Sequence, residues 1–386
     1  MNRITKLRNG YKAGMNPLSN RRDGPIRYAL VGLGNIAQVA VLPGFLNAKS
    51  NSELVAFVTD DPKKAKQLSR KYKVPHTYNY SQYRECLESG EVDAVYIALP
   101  NSMHHEFTVR AAEAGVHVLC EKPLAVDEIE CEEMIQACDR NNVKLMAAYR
   151  LHFERCNLEA IQIVKSGQIG EPRYFNSTFS MQVKEGVRTR SEKGGGTLYD
   201  VGVYCINAAR YLFQADPYMA FAFSSKGQDR RFTEIDEMTA ATLRFPGKRL
   251  ASFTCSFGAA NTATYEVIGT KGTMRVVSGY EYSVPATIEL KVGEKTTRRR
   301  FAKRDQFGPE IAYFSDCILT GRTPEPSGQE GLIDVHIVRS LYESACTGRA
   351  VELANFPRHP RPSLRQEIHF PAVKALLQIH TQSPHK

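Results

Sequence analysis

Tyr28-Ala-Leu-Val-Gly32-Leu-Gly34-Asn35-Ile36-Ala37 is the stretch from which the fold can be read. Its apolar run ends in glycine, which predicts a buried strand leading into a turn. Gly32, Gly34 and Ala37 have the GxGxxG/A spacing of a phosphate-binding turn. The first glycine permits the tight bend, the second lets a pyrophosphate approach the backbone, and Ala37 keeps helix and strand close. A helix opening at Asn35 and Ile36 would turn unpaired N–H groups and a positive dipole end towards the phosphates. The motif alone is weak. Its place after a first strand and ahead of further strand–helix units gives it weight.

Those units follow in order. Helical spacing covers 36–48, 62–72, 103–114 and 127–141, and apolar runs at 54–58, 92–98, 116–120 and 144–148 predict strands between them. Such alternation implies parallel pairing and a doubly wound sheet. The rhythm changes after residue 150. A helix at 154–166, a strand at 173–182 and a helix at 198–213 lead into strand-like runs at 217–226, 237–245, 250–257, 263–269, 272–277 and 286–292. Strands in succession predict an antiparallel sheet, and helices near 308–320 and 328–346 follow. The expected division is a flexible basic extension (1–25), a dinucleotide-binding domain (26–150), an α+β domain (151–352) and a Pro/Arg-rich tail (353–386).

Composition excludes several classes. The 386 residues are 42% hydrophobic and carry a net charge of +10. Much of that excess lies in short runs, at Arg3, Lys6, Arg8, Lys12, Arg21 and Arg22 and again at Arg298-Arg299-Arg300. Such runs read as solvated surface. With no zinc-finger spacing and no RNP-like aromatic motif, no nucleic-acid partner is expected. No stretch approaches the roughly 18 apolar residues of a membrane span, and the first 24 residues lack the apolar segment of a secretory signal. Nine scattered cysteines, without a CxxC pair or a close Cys/His cluster, suit free thiols in a reducing compartment and no metal site. The expected location is cytoplasmic.

The end of the second strand should meet the adenosine ribose, and there the sequence reads Thr59-Asp60-Asp61-Pro-Lys63-Lys64. A carboxylate such as Asp60 favours a ribose diol and NAD, whereas Thr59 with Lys64 favours a 2′-phosphate and NADP. Asp61 equally fits an N-cap. These residues leave the choice open. Further on, Cys120-Glu121-Lys122-Pro123 ends the fourth strand, where ligands bind in open α/β sheets. Asp200 and Tyr204 in Gly194-Gly-Gly196-Thr-Leu-Tyr199-Asp200-Val-Gly202-Val-Tyr204 are four apart and share a helix face. Gly202 between them leaves room for a ligand. A Lys–Asp–Tyr group handles protons; on its own, Tyr204 fits a buried core tyrosine equally well.

Together, Gly32–Ala37, Leu99-Pro100-Asn101 with His104, Glu121-Lys122-Pro123, and Gly195-Gly196 leading to Asp200 resemble the glucose–fructose oxidoreductase / inositol dehydrogenase family over about residues 26–352. Tyr204, where most members carry histidine, resembles the glucose–fructose oxidoreductase branch, as do Tyr149-Arg150-Leu-His152-Phe and Asn207-Ala-Ala-Arg210. The resemblance implies a Rossmann domain followed by a large, open, mostly antiparallel sheet, through which members pair as homodimers or homotetramers. It implies hydride transfer between a nicotinamide dinucleotide, NADP rather than NAD, and a CH–OH or carbonyl group of a sugar or polyol. Lys122, Asp200 and Tyr204 would be catalytic, with Tyr204 as general base and the Lys122 charge favouring its phenolate. Arg150 and Arg190 would lie near the substrate. Tyr80, Leu99, Pro100, Asn101, His104, Glu121 and Arg150 would join the glycine turn around the cofactor. Rival readings are a dihydrodiol or non-sugar carbonyl dehydrogenase, and a dinucleotide-binding regulator without turnover.

Overall fold

A computed structural model describes residues 24–357, 362–373, 378–381 and 383–385. The expected N-terminal extension lies almost wholly outside them.

The first sheet is built from β1 (Ile26–Val31), β2 (Ser52–Val58), β3 (His76–Tyr78), β4 (Ala94–Ile97), β5 (His117–Glu121) and β6 (Leu145–Ala148). Its strand order is β3-β2-β1-β4-β5-β6, parallel throughout. This is the doubly wound arrangement, and its topological switch point lies between β1 and β4. Both faces of β1 are covered. Ala29 and Val31 join one apolar cluster, and Tyr28 and Leu30 join the other. Side chains alternate along a strand, so a strand buried on both faces reads as an unbroken apolar run. The helices of this half are α1 (Leu42–Ala48), α2 (Pro62–Tyr72), α3 (Tyr83–Glu88), α4 (His104–Glu113) and α5 (Glu128–Arg140). A π-helical turn at Ala37–Val41 leads into α1, and Asp61 caps α2 by accepting the N–H groups of Lys63 and Lys64.

The second half opens with α6 (Arg155–Lys165), β7 (Pro172–Ser180) and α7 (Val203–Phe213). The strands β8 (Met219–Ser225), β9 (Met238–Phe245), β10 (Arg249–Ser256), β11 (Thr262–Gly269), β12 (Gly272–Val277), β13 (Ala286–Val292) and β14 (Lys295–Phe301) follow. After them come α8 (Phe307–Thr320), α9 (Gly328–Thr347) and the two-residue β15 (Val351–Glu352). The nine strands run β14-β13-β12-β11-β7-β10-β9-β8-β15 and pair antiparallel, except β7 with β10. The expected mostly antiparallel sheet is therefore present with one parallel pair at its centre. The run Arg298-Arg299-Arg300 is solvated, as expected, but it belongs to an edge strand.

The last helices join the halves. Phe307, Ile311 and Phe314 of α8 enter the core of the Rossmann sheet. In α9, Leu332 and Val335 face one core while Ile333, Ile337 and Leu341 face the other. Arg210, fully buried on α7, meets Asp216 at 2.7 Å, and Glu330 and Asp334 of α9 at 2.7 and 2.5 Å. The tail, set apart in the sequence reading, docks on the Rossmann half: Asn47 donates to the Pro371 carbonyl, and Gln38 exchanges hydrogen bonds with the Ile379 backbone.

Candidate active site

The glycine turn has the expected form. Gly32 takes φ +90°, and a Cβ there would lie 2.5 Å from the Ala98 carbonyl oxygen. Only glycine combines that backbone with that approach. At Gly34 a Cβ would meet nothing within 4 Å among the described residues, so the space above it is open to a ligand. The Asn35 side-chain amide nitrogen beside it is buried without a hydrogen-bond partner among the described residues. An open cradle with a spare buried donor fits a pyrophosphate. Thr59 is buried at the end of β2, and the Asp60 carboxylate accepts the Tyr80 N–H at 2.7 Å. Lys64 pairs with Asp61 at 3.7 Å.

Lys122 directly follows β5 and is joined to Pro123 by a cis peptide bond. Its ammonium donates to the Asp200 carbonyl at 2.9 Å and to the Asp200 carboxylate at 3.2 Å. It also lies 4.8 Å from the Tyr204 ring centroid. The three expected catalytic residues thus meet across the two halves. Asp200 sits in a π-helical turn, Leu198–Gly202, and Tyr204 in the first turn of α7. Gly202 has a different role from the one read in the sequence. A Cβ there would press on Leu198 at 3.0 Å and on Cys255 at 3.4 Å, so its smallness serves packing on the sheet and leaves no room for a ligand.

Burial pushes the Lys122 pKa down, but the oxygens of Tyr204, Asp200 and Glu121 outweigh it and hold it above the usual lysine value. The side chain stays a cation at neutral pH and serves as a charge, not as a base. Burial likewise pushes the Asp200 carboxyl up, and Arg188 and Lys122 overcome that and keep it below the usual carboxylate range. Arg188, 2.6 Å from Asp200, was missed in the sequence. The expected arginine, Arg190, is half exposed and held outward by Glu185 and Glu234 at 2.7 Å each.

Arg150 is buried, with its guanidinium 5.1 Å from the Tyr204 ring centroid and a bond to the Tyr280 carbonyl at 2.5 Å. It also donates to Gln306 and lies 5.3 Å from the Tyr282 ring centroid. Asn101 donates to the Gly194 carbonyl at 2.7 Å, and a Cβ on Gly194 would strike Asn101 and Val126, so the glycine run lets the two loops touch. Leu99 is buried and Pro100 half-buried beside it. His104 is not free to meet a cofactor. It is fully buried, with ring nitrogens 2.9 and 3.0 Å from the carbonyls of Pro123 and Leu99, and it braces the lysine turn.

Glu121 is occupied too. The Tyr96 hydroxyl lies 2.8 Å from Glu121 and 2.9 Å from Glu310. One hydroxyl carries one proton, so one carboxyl must supply another. Burial and then the Glu121 charge push Glu310 well above the usual range, which makes it the protonated partner. Neither Tyr96 nor Glu310 stood out in the sequence, since each lies within an apolar run. Among the described residues no group of three His, Cys, Asp or Glu side chains could hold a metal ion. None of the described helices is long and apolar enough to cross a membrane.

Comparison with known proteins agrees with this fold. Residues 26–149 match the GFO/IDH/MocA oxidoreductase family model with an NAD-binding Rossmann fold, and 157–275 match the GFO/IDH/MocA C-terminal domain. The chain is 31% identical over 339 residues to D-xylose 1-dehydrogenase [NADP(+)] of Haloarcula marismortui, covering 86% of this chain and 94% of that protein. A solved aldose-aldose oxidoreductase from Caulobacter crescentus, complexed with glycerol, superposes with a TM-score of 0.81 at 35% identity, over 85% of this chain and all of that one. The 3-ketoreductase KijD10 from Actinomadura kijaniata, solved with NADP and TDP-benzene, gives 0.76 at 27% identity over 83% of this chain and 98% of its own. With a glycine turn at the switch point and a lysine facing a tyrosine across two sheets, the chain belongs to the GFO/IDH/MocA family of oxidoreductases.

Proposed function

We propose that this protein interconverts a sugar or polyol CH–OH group and its carbonyl with NADP as cofactor. The observation that carries the reading is the Lys122 ammonium bonded to Asp200 while facing the Tyr204 ring at 4.8 Å. A hydroxyl held between Tyr204 and Lys122 loses its proton to the Tyr204 oxygen. The Lys122 cation steadies the resulting alkoxide, and Asp200 with Arg188 fixes that cation in place. Arg150 places a second cation 5.1 Å from the Tyr204 ring centroid. The Gly32–Ala37 turn, with Asn35, would bind the pyrophosphate, and Thr59, Asp60 and Lys64 lie where the ribose would be read. Bound there, the dinucleotide supplies the hydride acceptor or donor. Aldoses are the first substrates to try, D-xylose among them, given the relatives. Two further parts of the proposal concern the whole protein. Copies pair through the open face of the nine-stranded sheet, where Phe223, Met238 and Leu250 are exposed. The cytoplasm suits the eight buried free thiols, as it suited the cysteine pattern.

Kinetics with an aldose and NADP test the assignment. Lys122→Met and Tyr204→Phe should each lower kcat by roughly 100- to 10,000-fold while NADPH binding persists. Residues acting as one unit are not additive, so the double variant should lose far less than the product of the two. Parental turnover by Tyr204→Phe would place the base elsewhere.

A further inference from the structure

The tail residues reach both ends of the candidate cleft. At one end, Gln38 is buried and its side-chain amide clamps the tail: it donates to the Ile379 carbonyl at 2.9 Å and accepts the Ile379 N–H at 2.7 Å. The same amide donates to the Leu33 carbonyl, inside the glycine turn, at 2.9 Å. His380 stands 3.6 Å from Asp61, next to the carboxylate expected at the ribose. At the other end, the Lys184 N–H donates to the Pro384 carbonyl at 2.8 Å, and His385 forms an antiparallel bridge with Val183. Burial and the Arg188 charge hold the His385 imidazole below its usual pKa, and the Asp200 carboxylate acts on it in the opposite direction.

Ile379 and His385 are six peptide units apart, a reach of at most roughly 20 Å. Within that reach residues 379–381 lie by the pyrophosphate turn and residues 383–385 on the side of the carboxylate that holds Lys122. Among the described residues nothing comes within 4 Å of a Cβ placed on Gly34, so the described tail residues leave the phosphate cradle free. A segment tied down at both ends of a cleft, with its cradle clear, is placed to cover a ligand rather than to replace it.

We propose that residues 379–381 and 383–385 form a strap that is part of the dinucleotide site, fastening the bound cofactor between the glycine turn and Asp200. The strap rests on the reading of this cleft as a dinucleotide site. A dinucleotide leaves when the Gln38–Ile379 clamp and the Val183–His385 bridge let go.

NADPH fluorescence in stopped flow reads this directly. Two variants separate the strap from the turn: a chain ending at Gln378, and Ile379→Pro, which removes the N–H donated to Gln38 and leaves the Gln38–Leu33 bond intact. The shortened chain should release NADPH at least about tenfold faster, and Ile379→Pro severalfold faster, as expected for the loss of a few hydrogen bonds. Ile379→Pro keeps the question answerable if the shortened chain does not fold. Parental dissociation rates in Ile379→Pro, or faster association with unchanged dissociation, would overturn the strap. Failure of the parent itself to bind NADPH would instead remove the functional reading.

Discussion

At the Asp200 carboxylate two cations meet from different directions. Lys122 comes from the end of β5, and Arg188 from the loop ahead of the glycine run. Their combined charge overcomes the burial that would otherwise protonate the acid. Arg188→Met removes the larger of the two attractions, so the Asp200 pKa should rise. If catalysis needs the carboxylate, the acid limb of the kcat/KM profile moves to higher pH, and Arg188→Lys restores part of the shift. An acid limb that stays in place would mean that the charge of Asp200 is not required. The sequence showed Lys122, Asp200 and Tyr204 because each sits in a patterned motif at the end of a predicted element. It hid Arg188, because two arginines stand two apart in a loop without periodicity, and only the folded loop decides which turns inward. Glu310 was hidden for the opposite reason: it lies in a helix whose other first-turn residues are apolar and buried.

Elements that obey a period were legible, and those without one were not. The Rossmann strands could be read because both faces are buried. His76–Tyr78 carries no apolar run, and Lys295–Phe301 has one buried residue at its end, so neither β3 nor β14 announced itself. Partnering between elements is a further layer that spacing does not encode. His117 on β5 accepts the Lys144 N–H ahead of β6 at 2.9 Å, which requires an unprotonated Nδ1. Burial, aided by Lys144, lowers that imidazole from 6.5 to about 4. The unfolded chain therefore takes up this proton first as the pH falls. The stabilisation is complete above pH 6.5 and is lost on the way down to about 4. The most it can amount to is about 3 kcal/mol. Urea midpoints measured across that window should fall with pH in the parent and fall less in His117→Asn, whose amide oxygen can accept the same N–H. Equal slopes would assign the acid sensitivity to other groups.

For the molecule as a whole, the nine-stranded sheet offers two ways to meet another copy, and the side chains separate them. Its open face carries Phe223, Met238 and Leu250, whereas its long edge, β14, is exposed along six of seven positions and carries Lys295, Arg298, Arg299 and Arg300. Like charges along an edge discourage strand addition. Light scattering behind size exclusion should show a closed oligomer in the parent and a smaller species in a Phe223→Glu/Leu250→Glu variant; an unchanged mass would move the contact off this face. Face-to-face pairing about a two-fold axis uses itself up, whereas head-to-tail pairing of the β14 edge with the opposite edge of the next copy would leave a free edge at each end and continue. The arginine run that first read as plain solvated charge would thus act against open-ended assembly along this edge. Turning Arg298, Arg299 and Arg300 into threonines should give a protein that folds and then lengthens into fibrils, visible as a thioflavin signal that rises with protein concentration.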